Sequence, residues 1–277
     1  MGLRINTNVA AINANRLLTG TTHELGQSFE RLSSGQRINK SGDDAAGLAI
    51  SENLKAQIRG LRQAKRNAAD GVSLVQVTEG GLNEISNILI RLRELSVQSA
   101  SDTISDVERS FTNREFQLLK DEVQRIAETT NFNGTPVLSG HQSVVDIQVG
   151  TRNTPNDRLS YDTEFANAQL ERLGILDTAS GTKTQAQESL AKIDKGIENV
   201  QDIRASLGAM QNRLQSTIRN LMIYDENLSA ANSRIRDADI AEESSINTKL
   251  NILQQAGVSV LSQANVTQKL ALRLLEG

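Results

Sequence analysis

The chain has 277 residues, two prolines, no cysteine and no tryptophan, and its 30 basic and 33 acidic side chains leave a net charge of −3. That length suits one or two domains. The near-neutral balance excludes a chain built as an electrostatic magnet for nucleic acid or anionic membrane, and the missing cysteines exclude disulfide and thiol chemistry.

Residues 1–29 hold only Arg4, Arg16 and Glu24 as full charges, with His23 beside them. The opening MGLRINTNVAAINANRLL lacks the long apolar core of a secretory signal. A low-charge terminal helix is expected here. The stretch that follows, LSSGQRINKSGDDAAGLAIS, changes character. Gly35 and Gly42 bracket an irregular connector that also contains Arg37 and Asn39. Asp43 and Asp44 stand at the first turn of the next helix, where carboxylates favour the helix dipole. Two readings stand: a capped helix start and nothing more, or a connector that also touches a neighbouring subunit.

Three charged amphipathic helices are predicted, over about 45–99, 106–129 and 186–236. The first carries the stripe Val75, Thr78, Leu82, Ile85, Leu89, Leu92, Ser96, and the second carries Phe116, Leu119, Val123, Ile126. Ser105 or Asp106 can cap the second. The third carries Ile203, Leu207, Met210, Leu214, Thr217, Leu221, Tyr224, Leu228, Ala231 and Ile235 in alternating steps of four and three. Between the second and third helices, Asn133-Gly134 signals a tight turn. Val145, Ile147 and Val149 alternate as on a strand. Both prolines, Pro136 and Pro155, fall in this middle region, so the flanks are free to be long helix.

The last stretch repeats without a slip. Ile246, Leu250, Leu253, Gly257, Val260, Ala264, Thr267, Ala271 and Leu274 are spaced four, three, four, three to the end. That spacing keeps one seam of a helix against a partner. Yet no charge occurs from Leu250 to Gln268. A free two-stranded coil flanks its seam with Glu and Lys; this one expects company on several sides. The seam residues Ile246, Leu250, Leu253, Val260, Ala264 and Leu274 are the candidate self-assembly site.

Chemistry-bearing motifs are few. His23 and His141 stand far apart, Asp237 and Asp239 lack the glycine and glutamate of a calcium loop, and neither a Walker loop nor a Gly-x-Gly-x-x-Gly occurs. No catalytic residue, metal or cofactor is expected.

The blocks quoted above resemble bacterial flagellins, the subunits of the flagellar filament. QAKRNAADGVSLVQVTEGGL at 63–82, RELSVQSA at 93–100, LGAMQNRLQSTI at 207–218, SRIRDADIAEE at 233–243 and ILQQAGVSVLSQAN at 252–265 are similar to family blocks in the same order. The end departs from the pattern, with Thr267 where relatives usually have Pro, and the middle is short. The resemblance implies a mainly α fold in which long antiparallel helices form a coiled-coil terminal domain and a helix-bundle rod domain with a small β-hairpin region. It implies a terminal inner-tube domain of residues 1–42 plus 237–277 and a rod domain of 43–236, with the β region near 132–170. The implied function is a non-enzymatic filament subunit for swimming, exported through the flagellar secretion channel. The implied partners are itself, an export chaperone, the filament cap and hook-junction proteins, with no nucleic acid and no membrane insertion. A vertebrate innate immune receptor is a further implied partner, through Arg91, Leu95 and Glu122. Two alternatives are a hook–filament junction protein of the same family and a cytoplasmic signalling coiled coil.

Overall fold

The computed structural model describes residues 7–140 and 144–276, and of 267–276 the backbone alone. His141 and the side chain of Leu274 therefore lie outside the described residues. In chain order the helices are α1 (Val9–Ser34), α2 (Ala45–Ser99), α3 (Asp106–Thr129), the single turn α4 (Leu170–Leu173), α5 (Lys183–Arg236) and α6 (Ile240–Glu276). Four short strands lie between α3 and α4: β1 (Asn131–Phe132), β2 (Thr135–Pro136), β3 (Val145–Gln148) and β4 (Arg158–Tyr161). They form two separate antiparallel pairs, β1 with β2 and β3 with β4. The fold is mainly α with a small β-hairpin region.

The chain divides into two compact units. One comprises residues 1–56 and 227–277, the other 57–226. The divisions fall inside α2 and α5, so each of these helices serves both units.

The unit of residues 57–226 has a continuous apolar core. Every member of the predicted α2 stripe, from Val75 to Ser96, is buried. Phe116 and Val123 of α3 meet it, and α5 adds Ile193, Val200, Ile203, Leu207 and Leu214. Val137, Leu138, Ile147 and Tyr161 close the core from the strand side. Burial pushes the Tyr161 phenol up to about 12, and its hydroxyl donates to the Val137 carbonyl at 3.2 Å.

Helix ends follow the local chemistry. Ser105 caps α3 reciprocally with Glu108, whose carboxylate accepts from the Ser105 amide at 2.8 Å. Asn133 at φ 51° and Gly134 at φ 80° supply the positive dihedrals of the β1–β2 turn. Two buried cations also pin loops. Arg109 donates to the carbonyls of Ser99 at 2.9 Å and Ser101 at 3.1 Å, fixing the α2–α3 turn. Lys120 donates to the carbonyls of Leu176 at 2.6 Å and Thr178 at 2.9 Å, and burial holds its ammonium below the ordinary lysine value.

One seam residue departs from expectation. Tyr224 is exposed, and Asp225 turns inward instead, accepting from Arg62 Nε at 3.1 Å. The step after Leu221 thus goes to the ion pair rather than to the ring.

Candidate functional site

Within the unit of residues 1–56 and 227–277, α1 and α6 run antiparallel. Asn8 Nδ2 donates to the Ala264 carbonyl at 3.0 Å near one end. Arg31 lies 3.9 Å from the Glu243 carboxylate near the other. The facing positions on α1 are Ala11, Ala14, Leu18, Thr21, Leu25 and Ser28, in steps of three and four. Those on α6 are Glu243, Asn247, Leu250, Gln254, Gly257, Leu261 and Ala264, in steps of four and three. This is the heptad spacing of a two-helix coil. At Gly257 the helices approach closely: a Cβ would stand 3.2 Å from the Leu18 Cδ1 atom. Ser28, Glu243 and Asn247 are all buried in the seam, with Asn247 Nδ2 donating to Ser28 Oγ at 3.4 Å.

The structure divides the predicted terminal stripe. Leu250, Gly257 and Ala264 face α1, while Ile246, Leu253 and Val260 point outward with exposures of 38, 47 and 59%. Ile252, Val258 and Val266 are exposed beside them. Hydrophobicity alone placed the seam partway round the helix, because the true contact face includes Glu243, Asn247 and Gln254. What remains outside is an apolar row flanked by polar residues, Lys249 being the charged one between Ile246 and Leu253. On α1, Val9, Ile12 and Leu17 are likewise exposed. Contiguous exposed apolar surface of this kind marks a docking face.

The connector between α1 and α2 pairs with the short link between α5 and α6. Gly35 ends α1 at φ 67°, and its amide donates to the Arg31 carbonyl at 2.8 Å. Gln36 and Asp237 form an antiparallel bridge. The Arg37 amide donates to the Arg236 carbonyl at 2.6 Å, and the Ala238 amide to the Gly35 carbonyl at 3.0 Å. The Arg37 guanidinium donates to the Ile235 carbonyl at 2.8 Å. Arg236, which the sequence did not single out, donates to Gln36 Oε1 at 2.9 Å and pairs with Glu52. Asn39 Nδ2 donates to Ser34 Oγ at 2.9 Å. Asp44 caps α2, accepting from the Gly47 amide at 2.8 Å. At Gly47 a Cβ would stand 2.8 Å from the buried Ile38 side chain. The capped helix start is thus present, and it lies within a hydrogen-bonded connector.

Asp43 closes this loop by accepting from the Asn39 and Lys40 amides, each at 3.0 Å. Those backbone bonds, Lys40 first, hold its carboxyl below the ordinary value of 3.8. A depressed folded value means that the stabilisation is complete above the ordinary value and is lost as pH falls through the lower folded one. The Asn39 and Lys40 amide shifts are therefore expected to titrate together with a midpoint below 3.8, and Asp43→Asn should abolish both titrations. A common midpoint at the ordinary value would contradict the loop closure.

The residues of the receptor patch do not share one surface. The Arg91 guanidinium is half-exposed and pairs with Glu115 at 2.9 Å and Glu94 at 2.9 Å. Glu122 is partly exposed and pairs with Arg125 at 2.6 Å. Leu95 is 1% exposed and belongs to the core, so the expected Arg91–Leu95 face does not exist at the surface. A helix turns 100° per residue, so the i, i+4 pair straddles the core boundary. Among the described residues, no group of three or more His, Cys, Asp or Glu comes together, and no helix is long and apolar enough to cross a membrane.

The chain is similar to known proteins over nearly its whole length. The model of the bacterial flagellin N-terminal helical region matches residues 5–143, and that of the C-terminal helical region matches 190–275. The chain is 44% identical to a flagellin of Halalkalibacterium halodurans over 98% of this chain and 99% of that protein. It is 42% identical to a flagellar filament core protein of Brachyspira hyodysenteriae, again over 98 and 99%, and 39% identical to a flagellin of Bacillus subtilis over 99 and 100%. The crystal structure of Bacillus cereus flagellin is similar at a TM-score of 0.51 and 29% identity, over 56% of this chain and 88% of that one. A flagellar hook-associated protein of Vibrio parahaemolyticus, at 16% identity and a TM-score of 0.57, shares the fold alone.

Proposed function

The chain belongs to the bacterial flagellin family, as a secreted structural subunit of the flagellar filament, and we propose that it polymerises through the outer apolar row of α6. The observation that carries this reading is the exposure of Ile246, Leu253 and Val260 on a helix whose other face is already occupied by α1. A second copy would cover that row, together with the exposed residues of α1. Leu250 and Ala264 serve the same site from within by fixing α6 on α1, and Leu274 continues the repeat toward the end. The functional division lies at the connector. Residues 1–42 with 237–277 form the inner-tube domain, and 43–236 form the rod. Gly35, Arg37, Asn39, Asp43 and Asp44 form that connector.

Because the chain lacks cysteine, Val260→Cys supplies a single thiol. Maleimide is expected to label it at least tenfold faster in the monomer than in the filament. Equal rates would place the row in water and refute the reading.

The family resemblance further supports an export chaperone, the filament cap and hook-junction proteins as partners. For the innate receptor, the accessible contacts are Arg91 and Glu122, while Leu95 lies in the core. Arg91→Ala should lower receptor activation by the monomer at least fivefold; unchanged potency would remove the patch.

A further inference from the structure

Asn133 is the one asparagine of this chain that precedes a glycine. It stands with Gly134 at the tip of the β1–β2 turn, both residues exposed and both at positive φ, 51° and 80°. Among the described residues Asn133 is the only non-glycine at positive φ, a conformation that costs most side chains energy and that asparagine tolerates best. The space beside Gly134 is open, with nothing within 4 Å of an added Cβ. Asn131 is also exposed, but its side-chain nitrogen donates to the Thr129 carbonyl at 3.0 Å, and the bulky Phe132 follows it.

The base of this hairpin is anchored and its tip is not. Val137 and Leu138, directly after β2, are wholly buried in the core. The Val137 amide donates to the Thr130 carbonyl at 3.2 Å, and the Ala168 amide to the Leu138 carbonyl at 2.9 Å. Above those anchors the strands pair at Asn131–Pro136 and Phe132–Thr135. Pro136 has no amide hydrogen to give to the ladder. A two-stranded ladder this short opens readily on its own, so the turn swings free of its closed conformation without unfolding the core beneath it.

We propose that Asn133 is a site of spontaneous covalent self-modification. In the opened turn the Gly134 amide nitrogen attacks the Asn133 Cγ carbon. The new N–C bond closes a five-membered succinimide, and the side-chain nitrogen leaves as ammonia, taking the Gly134 amide proton with it. Water then opens the ring. Cleavage at the former side-chain carbonyl gives aspartate. Cleavage at the main-chain carbonyl gives isoaspartate, whose backbone runs through the former side chain and is one methylene longer. Water is the only co-reactant, ammonia the only leaving group, and nothing is oxidised or reduced. Glycine matters because it sets no side chain against the attacking nitrogen. Both products add a negative charge, but only isoaspartate lengthens the two-residue loop that keeps Phe132 opposite Thr135. Because Val137 and Leu138 follow at once, that change reaches the core of the unit of residues 57–226. The chemistry belongs to the single chain and is independent of the assembly face on α6.

The test incubates the intact monomer in mildly alkaline buffer at body temperature. Tryptic cleavage after Arg125 and Arg152 releases residues 126–152 as one peptide, which holds both Asn131 and Asn133. Mass spectrometry then follows each asparagine, with fragmentation that tells isoaspartate from aspartate. Asn133 is expected to convert at least tenfold faster than Asn131, with isoaspartate among its products, and at no less than a tenth of its rate in concentrated guanidinium chloride. Equal rates at the two asparagines, aspartate without isoaspartate, or a folded rate below that tenth would each overturn the proposal. Asn133→Asp supplies the charge without the methylene. That variant should keep the Phe132–Thr135 pairing in amide hydrogen exchange, because aspartate also tolerates positive φ, whereas the isoaspartate fraction should lose its protection. Like exchange in the two forms would overturn the role given to the added methylene.

Discussion

Removal of residues 237–277 is expected to abolish polymerisation while leaving a folded, helical, soluble monomer. The core from Ala68 to Leu214 lies wholly within residues 57–226 and needs nothing from α6. α1 behaves differently. Its inward face of Ala11, Ala14, Leu18 and Leu25 has α6 as its partner, and an isolated helix is marginal in water. Far-ultraviolet circular dichroism of the truncated chain should therefore fall by more than the deleted helix alone contributes, because α1 melts with it. Its thermal transition should remain cooperative. Sedimentation should find monomer at concentrations where the intact chain forms pelletable filaments. Filaments from the truncated chain would contradict the assignment.

Leu253→Asp separates folding from assembly at one atom group. In the monomer Leu253 is 47% exposed, so the substitution should alter stability by no more than about 0.5 kcal/mol, as surface changes do. In the filament the same carboxylate would be buried without a partner, at a cost of about 3 kcal/mol or more. At about 1.4 kcal/mol per tenfold, that raises the critical concentration at least a hundredfold. Glu226→Gln, on exposed α5, should stay within twofold of the parent. A melting temperature lowered by many degrees in Leu253→Asp would place that side chain inside the folded chain instead. Equal critical concentrations for the two variants would remove the distinction between the outer row of α6 and the charged rod.

The long helices were legible because their signals are local and redundant. The α2 stripe and the Ser105 cap fixed α2 and α3 to the residue, and the third helix begins only three residues earlier than its pattern indicated. The terminal pairing was half legible. The four–three repeat found α6, but apolar character could not tell an inward seam from an outward row when buried Glu243 and Asn247 and half-buried Gln254 share the contact face. Three cations carried no sequence signal at all. Arg109, Lys120 and Arg236 act by donating to carbonyls or side chains distant along the chain, and such geometry exists only once the loops are in place. Leu95 shows the converse limit. Matching residue type at a matching position did not place it at the surface, because the face it lies on was already filled by the core.

The most direct measurement is a map of the assembled filament at side-chain resolution. It is predicted to show Ile246, Leu253 and Val260 covered by a neighbouring copy, with Leu250, Gly257 and Ala264 still against α1 of the same chain. A filament in which the row from Ile246 to Val260 faces water, with copies joined only through residues 57–226, would contradict the account.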